Sequence, residues 1–250
     1  IDVTLDQDAK MDGDTSIPDN ITLVVPENKN LDVNGKLDVA GKLENQGNVT
    51  IKDGAELTVS GTLDNKGDIN LENGAKLDVP ESGTLDNTGD INLKDGSGMD
   101  VSGTVENGGN VTTEGNATVK LPSGSEDSVN SNAEAQWTDK EGNTHFGTLN
   151  EALNENKKGN ATDIILNNNA TLTEDTVIPE DTTVTVKNGA TITVPDNKSL
   201  EINGKLEGAN ENTIINQNEA SWKNPANGKE YYGSLKEALD KASKEEGNID

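Results

Sequence analysis

Asp64, Asp68, Asp86 and Asp90 recur at spacings that would bring carboxylates together on neighbouring turns of a repeating chain. Two carboxylates at the right separation can do acid–base work on a glycosidic bond. The equivalent positions elsewhere hold Glu44, Asn48, Glu106 and Asn110. That alternation reads as a solvated, repeating face, not as one tuned pair. The single histidine, His145, stands beside Phe146, and a later copy of its segment carries Tyr231 in its place. Exchange with tyrosine marks a packing position. A second acidic group, DQDAKMDGD from Asp6 to Asp14, gathers four carboxylates and a glycine in nine residues. Against a calcium-binding loop, Lys10 occupies the third ligand position and Gly13 falls late. The expectation is no catalytic residue, no metal ligand and no cofactor. Loose calcium binding by stacked acidic groups is the one exception, and ligand-binding residues are left unassigned.

The 250 residues include 20 basic and 46 acidic side chains, a net charge of −26, and every basic residue is a lysine. Such a chain repels nucleic acid and anionic membranes, and no apolar run approaches the ~18 residues of a membrane span. With no cysteine, disulfides and thiolate metal sites are excluded. The chain starts at Ile1 with no signal-peptide pattern, which suits a processed chain or a fragment of a longer one. Only 30% of residues are hydrophobic, so folding requires that they be placed regularly.

They are placed regularly. Four segments beginning at Gly41, Gly61, Gly83 and Gly103 repeat at spacings of 20, 22 and 20 residues. Leu43, Leu63, Leu85 and Val105 share one position, and Val49, Ile69, Ile91 and Val111 another. Each unit holds three short bursts of apolar-x-apolar sequence separated by Asn, Gly, Asp or Pro, which is strand periodicity bounded by turn chemistry. Three short strands and three turns make one coil of a triangular parallel solenoid, whose inward residues must stack on those of adjacent coils. Asn45, Asn65, Asn87 and Asn107 fall in one row, where side-chain amides can form a ladder that satisfies turn backbone groups. Gly47, Gly67, Gly89 and Gly109 follow, and glycine there predicts a positive backbone dihedral. LPSGS at Leu121 lacks the order of a sortase signal and reads as a turn.

A longer repeat overlies the short one. The stretch ending at Leu37 resembles the stretch ending at Leu206, and the segments around Trp137 and Trp222 resemble each other. In both, Thr148 or Ser234 caps a helix, with Glu151 or Glu237 three residues on completing a capping box. Leu149, Ala152 and Leu153, like Leu235, Ala238 and Leu239, share a helical face, and Gly159 and Gly247 end the helices. All five aromatic residues, Trp137, Phe146, Trp222, Tyr231 and Tyr232, lie in these segments. They serve either as a sugar-stacking platform or, on the preferred reading, as packing that seals an open solenoid end. The predicted organisation is a first solenoid over 1–133, an aromatic link and capping helix over 134–160, a shorter solenoid over 161–218, and the link and cap of a following module over 219–250. There Ile249 and Asp250 repeat the approach of Ile1 and Asp2.

GTLNEALNENKKGNATDIILNNNATLTEDTVIP and GSLKEALDKASKEEGNID resemble the helical N-terminal cap of the pectate-lyase-like superfamily. The resemblance implies an all-β, right-handed, single-stranded parallel β-helix of three-strand coils of about 20 residues, with short capping or linking α-helices. The tandem arrangement is similar to repetitive, adhesin-like surface proteins of Gram-positive bacteria. Lyases of that superfamily use an arginine base beside acidic calcium ligands, and this chain has no arginine to supply it. The expected function is therefore a non-catalytic, extracellular cell-surface region, adhesin-like or a rigid stalk. Its expected partners are a host matrix protein or an extracellular glycan, and the chain is expected to be a monomer within a tandem array. The competing expectation is a β-helix protein that binds or cleaves extracellular polysaccharide.

Overall fold

The computed structural model describes residues 1–106, 108–125, 130–187 and 189–246, with side chains described as far as Lys244. The chain forms two compact units. One comprises Ile1–Ala133 and Glu141–Gly147, and the other Glu134–Lys140 and Thr148–Asp250.

The first unit is a parallel β-solenoid. Its first side is a six-stranded sheet that stacks Asp2–Thr4, Thr22–Val25, Lys42–Asn45, Thr62–Asn65, Thr84–Asn87 and Thr104–Glu106. The second side runs from Ala9–Met11 to Asn130–Ser131, and the third from Thr15–Ile17 to Thr118–Leu121. The sequence repeats are the structural register: Leu43 pairs with Leu63, Leu63 with Leu85 and Leu85 with Val105. Alternate residues of each strand point inward, so Leu, Val and Ile from three sides fill one continuous core. A buried leucine is worth ~1.5–3 kcal/mol, and each coil can bury its own only against its neighbours. The stack closes with a reversal, in which Thr144–Gly147 pairs antiparallel to Thr118–Leu121 and brings Phe146 into the core.

The asparagine row is a ladder. Asn45 Nδ2 donates to Asn65 Oδ1 at 2.8 Å, Asn65 Nδ2 to Asn87 Oδ1 at 2.8 Å, and the Gly47 amide to Asn45 Oδ1 at 3.2 Å. Asn107 lies outside the described residues. The adjoining glycines correct an expectation. Gly47, Gly67, Gly89 and Gly109 are not among the positive-φ residues. A β-carbon on Gly67 would lie 2.1 Å from the Gly47 carbonyl oxygen, and one on Gly89 2.1 Å from that of Gly67. Close approach between coils, not a left-handed dihedral, demands glycine there. The positive dihedrals fall at a different corner, on Gly54 (φ 70°), Gly74 (68°), Gly96 (70°) and Gly115 (58°).

The second unit repeats the plan on a smaller scale. Its first side stacks Ala161–Leu166, Thr183–Val186 and Lys205–Glu207 in parallel, with Ala135–Asp139 antiparallel on the outer edge of Ala161–Leu166. Helix α1 (Leu149–Lys157) packs on both strands of that edge. Thr148 and Glu151 form the capping box, and Gly159 (φ 74°) follows the helix. At the other end Glu230–Gly233 pairs antiparallel to Leu200–Ile202, and Ala220–Lys223 pairs antiparallel to Glu230–Gly233. Helix α2 (Leu235–Glu246) packs on this hairpin. Gly247, Ile249 and Asp250 lie outside the described residues.

Candidate functional site

The four repeat aspartates separate into two pairs. Asp64 and Asp86 are register partners on the first side of the first unit, and Asp68 and Asp90 are partners on the second. The turn at Asn65 to Gly67 places the pairs on different sides. Asp64 lies between Lys42 (2.8 Å) and Lys66 (3.0 Å), which also approach Glu44. Burial works against ionisation at Asp64, but the two lysine hydrogen bonds outweigh it and hold the carboxyl below its usual range. A carboxylate held charged in this way suits a charge ladder and not a proton donor.

Two outward rows of the second side also bond along and across themselves. Asn70 donates to Asn48 (2.7 Å), Asn92 to Asn70 (3.0 Å), Asn110 to Asp90 (2.8 Å) and Asn130 to Asn110 (3.1 Å). The Asp6–Asp14 segment serves the coil above it. Asp8 accepts from the Asn30 backbone and side chain, Asp12 from Asn34 and Asp14 from the Lys36 amide. Among the described residues no group of three or more His, Asp or Glu side chains is placed to hold a metal ion. LPSGS forms a turn closed by the Ser125 amide on the Pro122 carbonyl.

A hollow that the sequence did not signal opens on the third side of the first unit, with a volume of about 490 Å³ and with Glu56, Asp78, Asp100, Lys120 and His145 along it. Gly98 stands in register between Lys76 and Thr118, so the outward row lacks a side chain at that point and leaves room. Burial, with the Asp100 and Glu56 carboxylates nearby, pushes the Asp78 carboxyl up. His145 reaches this side as the register partner of Lys120. The signal that would have located the hollow is a glycine at an outward strand position, which is conspicuous only once the rows are aligned.

The aromatic residues divide by environment. Trp137, Phe146 and Tyr231 are buried. Trp222 and Tyr232 instead line a hollow of about 670 Å³ in the second unit, together with Lys205, Asn210, Lys223 and Glu230. Tyr231 hydrogen-bonds Glu237 at 2.6 Å under the Lys241 ammonium, 5.2 Å from the ring centre. Burial and the adjacent Glu237 raise its phenol above the ordinary range, and burial and Glu230 do the same for Tyr232.

Glu134 is held at both ends of its residue in the second unit. Its oxygens accept the Leu149 amide at 3.1 Å and the Thr171 amide at 3.4 Å, while its carbonyl accepts from Asn167 and Asn168. It thus ties the entering strand, the start of α1 and the first coil together. Burial raises its pKa against the opposing pull of the two amides.

These features define a parallel β-solenoid with antiparallel closing strands and helical caps. No protein family, no curated protein and no solved structure matches the chain.

Proposed function

We propose that this chain is a non-catalytic region of an extracellular bacterial surface protein, adhesin-like or a rigid stalk, in which solenoid modules follow one another in tandem. The observation that carries the reading is the closure of outward rows on themselves along the first and second sides of the first unit. Asp64 is shared by Lys42 and Lys66, and the Asn48, Asn70 and Asn92 amides bond one another from coil to coil. Repeated, mutually satisfied side chains stiffen a stack and keep it solvated, and a carboxylate held charged between two lysines, as Asp64 is, does not serve as a proton donor. The absence of arginine removes the base used by the lyases that the cap resembles. The resemblance of the cap segments to the pectate-lyase-like superfamily, and of their tandem arrangement to Gram-positive surface proteins, supports the placement outside the cell.

A second reading, recognition or cleavage of extracellular polysaccharide, is favoured by one observation, the hollow lined by Trp222 and Tyr232. Half-exposed aromatic rings beside Glu230 and Lys223 suit a sugar face flanked by hydroxyl groups. One experiment separates the readings. The chain, with and without calcium, is applied to an array of matrix proteins and bacterial, plant and mucin glycans, and the polysaccharides are then assayed for chain shortening. The surface-module reading expects intact polysaccharide and either saturable binding to one ligand class or none. Polysaccharide cleavage would overturn it. Glycan binding lost in Trp222→Ala would establish the hollow as the site.

A further inference from the structure

A glycine inside a strand needs a reason, because it supplies no side chain to pack and loses more conformational entropy on folding than any other residue. The corner glycines of the first unit have one. A β-carbon on Gly61 would lie 2.0 Å from the Gly41 carbonyl oxygen, and one on Gly103 2.2 Å from that of Gly83. Gly98, within the strand Gly98–Val101 of the third side, is under no such constraint. It is not among the positive-φ residues, and its register with Lys76 and Thr118 is unbroken. A β-carbon there would meet nothing closer than the Thr118 hydroxyl at 3.7 Å. With no bulge and no neighbouring backbone pressing on it, what glycine provides at this point is access for a ligand.

The gap adjoins a carboxylate that lacks a cation. On the first side the register partners Glu44 and Asp64 share two ammonium groups, Lys42 at 3.4 and 2.8 Å and Lys66 at 3.8 and 3.0 Å. On the third side Asp78 and Asp100 are register partners in the same way. Asp100 reaches Lys120 at 3.5 Å. Asp78 is half-buried, and no lysine among the described residues forms an ion pair with it. Lys76, two residues before it, is exposed. Lys42 stands two residues before Glu44 on the same face of its strand, and the residue in that place before Asp100 is Gly98.

We propose that the hollow at Gly98 receives a lysine or arginine side chain of a protein partner, laid across the strand with its cationic head between Asp78 and Asp100. The partner supplies from outside the charge that Lys42 supplies from within. Its aliphatic stem covers the gap in the outward row while the head stays at the solvated rim. An organic cation suits the site better than a metal ion, since no three His, Asp or Glu side chains among the described residues are placed to hold one. The inference deepens the surface-module reading, on which the choice of an extracellular basic segment as partner rests.

The probes are a blocked Gly-Lys-Gly peptide, its Nε-acetyllysine counterpart and glucosamine, each titrated into the chain at low salt while the side-chain carboxyl carbons are followed by NMR. The lysine peptide should shift Asp78 and Asp100 saturably and leave Glu44 and Asp64, already bridged, in place. The acetylated peptide should shift none of them. Gly98→Lys, for which the β-carbon has room, should bring in the ammonium permanently, so that the Asp78 midpoint falls and the peptide no longer moves it. Asp78→Asn should weaken binding about fivefold, read from Asp100, with unchanged circular dichroism. A lysine peptide that moves Asp78 no more than Glu44 overturns the inference, as does binding that survives Gly98→Lys. A saturable response to glucosamine but not to the lysine peptide also overturns it, in favour of an amino sugar. Polysaccharide cleavage would overturn the surface-module reading and leave this titration as it stands, so the two fail separately.

Discussion

Helices α1 and α2 carry the same apolar triplet, a hydroxyl residue with a glutamate three residues on at the start, and the same place after an aromatic hairpin strand, yet their surroundings differ. Leu149, Ala152 and Leu153 are buried in the core of the second unit, while of the corresponding residues only Ala238 is buried. The comparison teaches that the helix face is complementary to two surfaces. α1 packs on Ala161–Leu166 of the coil that follows as well as on Ala135–Asp139 before it, while α2 packs on the hairpin before it. With that hairpin in place Ala238 is buried and Leu235 and Leu239 are exposed.

The largest expected effect separates the helices directly. Leu153→Ala removes a buried side chain and should cost about 2–5 kcal/mol, while Leu239→Ala, at an exposed position, should change stability by less than about 0.5 kcal/mol. Urea unfolding monitored by tryptophan fluorescence measures both. Equal losses would show that α2 is already covered in the isolated chain and would remove the comparison.

A smaller effect concerns how each helix starts. Thr148 accepts the Glu151 amide at 3.2 Å and Glu151 reaches back to the Thr148 amide at 2.9 Å, a closed capping box. Ser234 accepts the Glu237 amide at 3.4 Å, and Glu237 also serves the Tyr231 hydroxyl at 2.6 Å. Thr148→Ala should therefore cost about 1 kcal/mol of global stability. Ser234→Ala should leave global stability within about 0.5 kcal/mol and appear instead as faster amide exchange in the first turn of α2. Equal global costs would mean that α2 is as tightly integrated as α1.

What the sequence made legible was local or strictly periodic. The register of Leu43, Leu63, Leu85 and Val105, the asparagine ladder and the Thr148 capping box follow from the spacing of apolar, amide and cap residues. What it concealed depends on residues distant in the chain. The reversal at Thr144–Gly147 and Glu230–Gly233 is invisible because strand composition carries no direction. The role of Gly67 was misjudged because its constraint is the Gly47 carbonyl of the neighbouring coil and not its own turn. The spacing from Asp6 to Asp14 already departs from a calcium loop, but that Asp8 and Asp14 accept from backbone amides 22 residues away is not visible in it. The Asp78 hollow depends on an absent side chain at Gly98.

Glu134 offers the finest distinction between the two copies, because its counterpart Glu219 is exposed and bonds only the Leu235 amide among its described contacts. Burial raises the Glu134 pKa above its ordinary 4.5 despite the Leu149 and Thr171 amides. A carboxyl whose folded pKa is raised binds its proton more tightly in the native state than in the unfolded one. Its contribution to stability is therefore fully present below the unfolded pKa and is lost as pH rises through the higher, folded value. A carbon-detected titration of the side-chain carboxyls should place the Glu134 midpoint above 4.5. The stability of Glu134→Gln, followed by thermal unfolding over the same range, should lack that decline with rising pH, whatever its absolute level. A Glu134 midpoint at or below 4.5 would mean that the two amide bonds outweigh burial. The second unit would then gain stability with rising pH at this residue, and the carboxylate would act as an ionic clamp on α1 and the first coil.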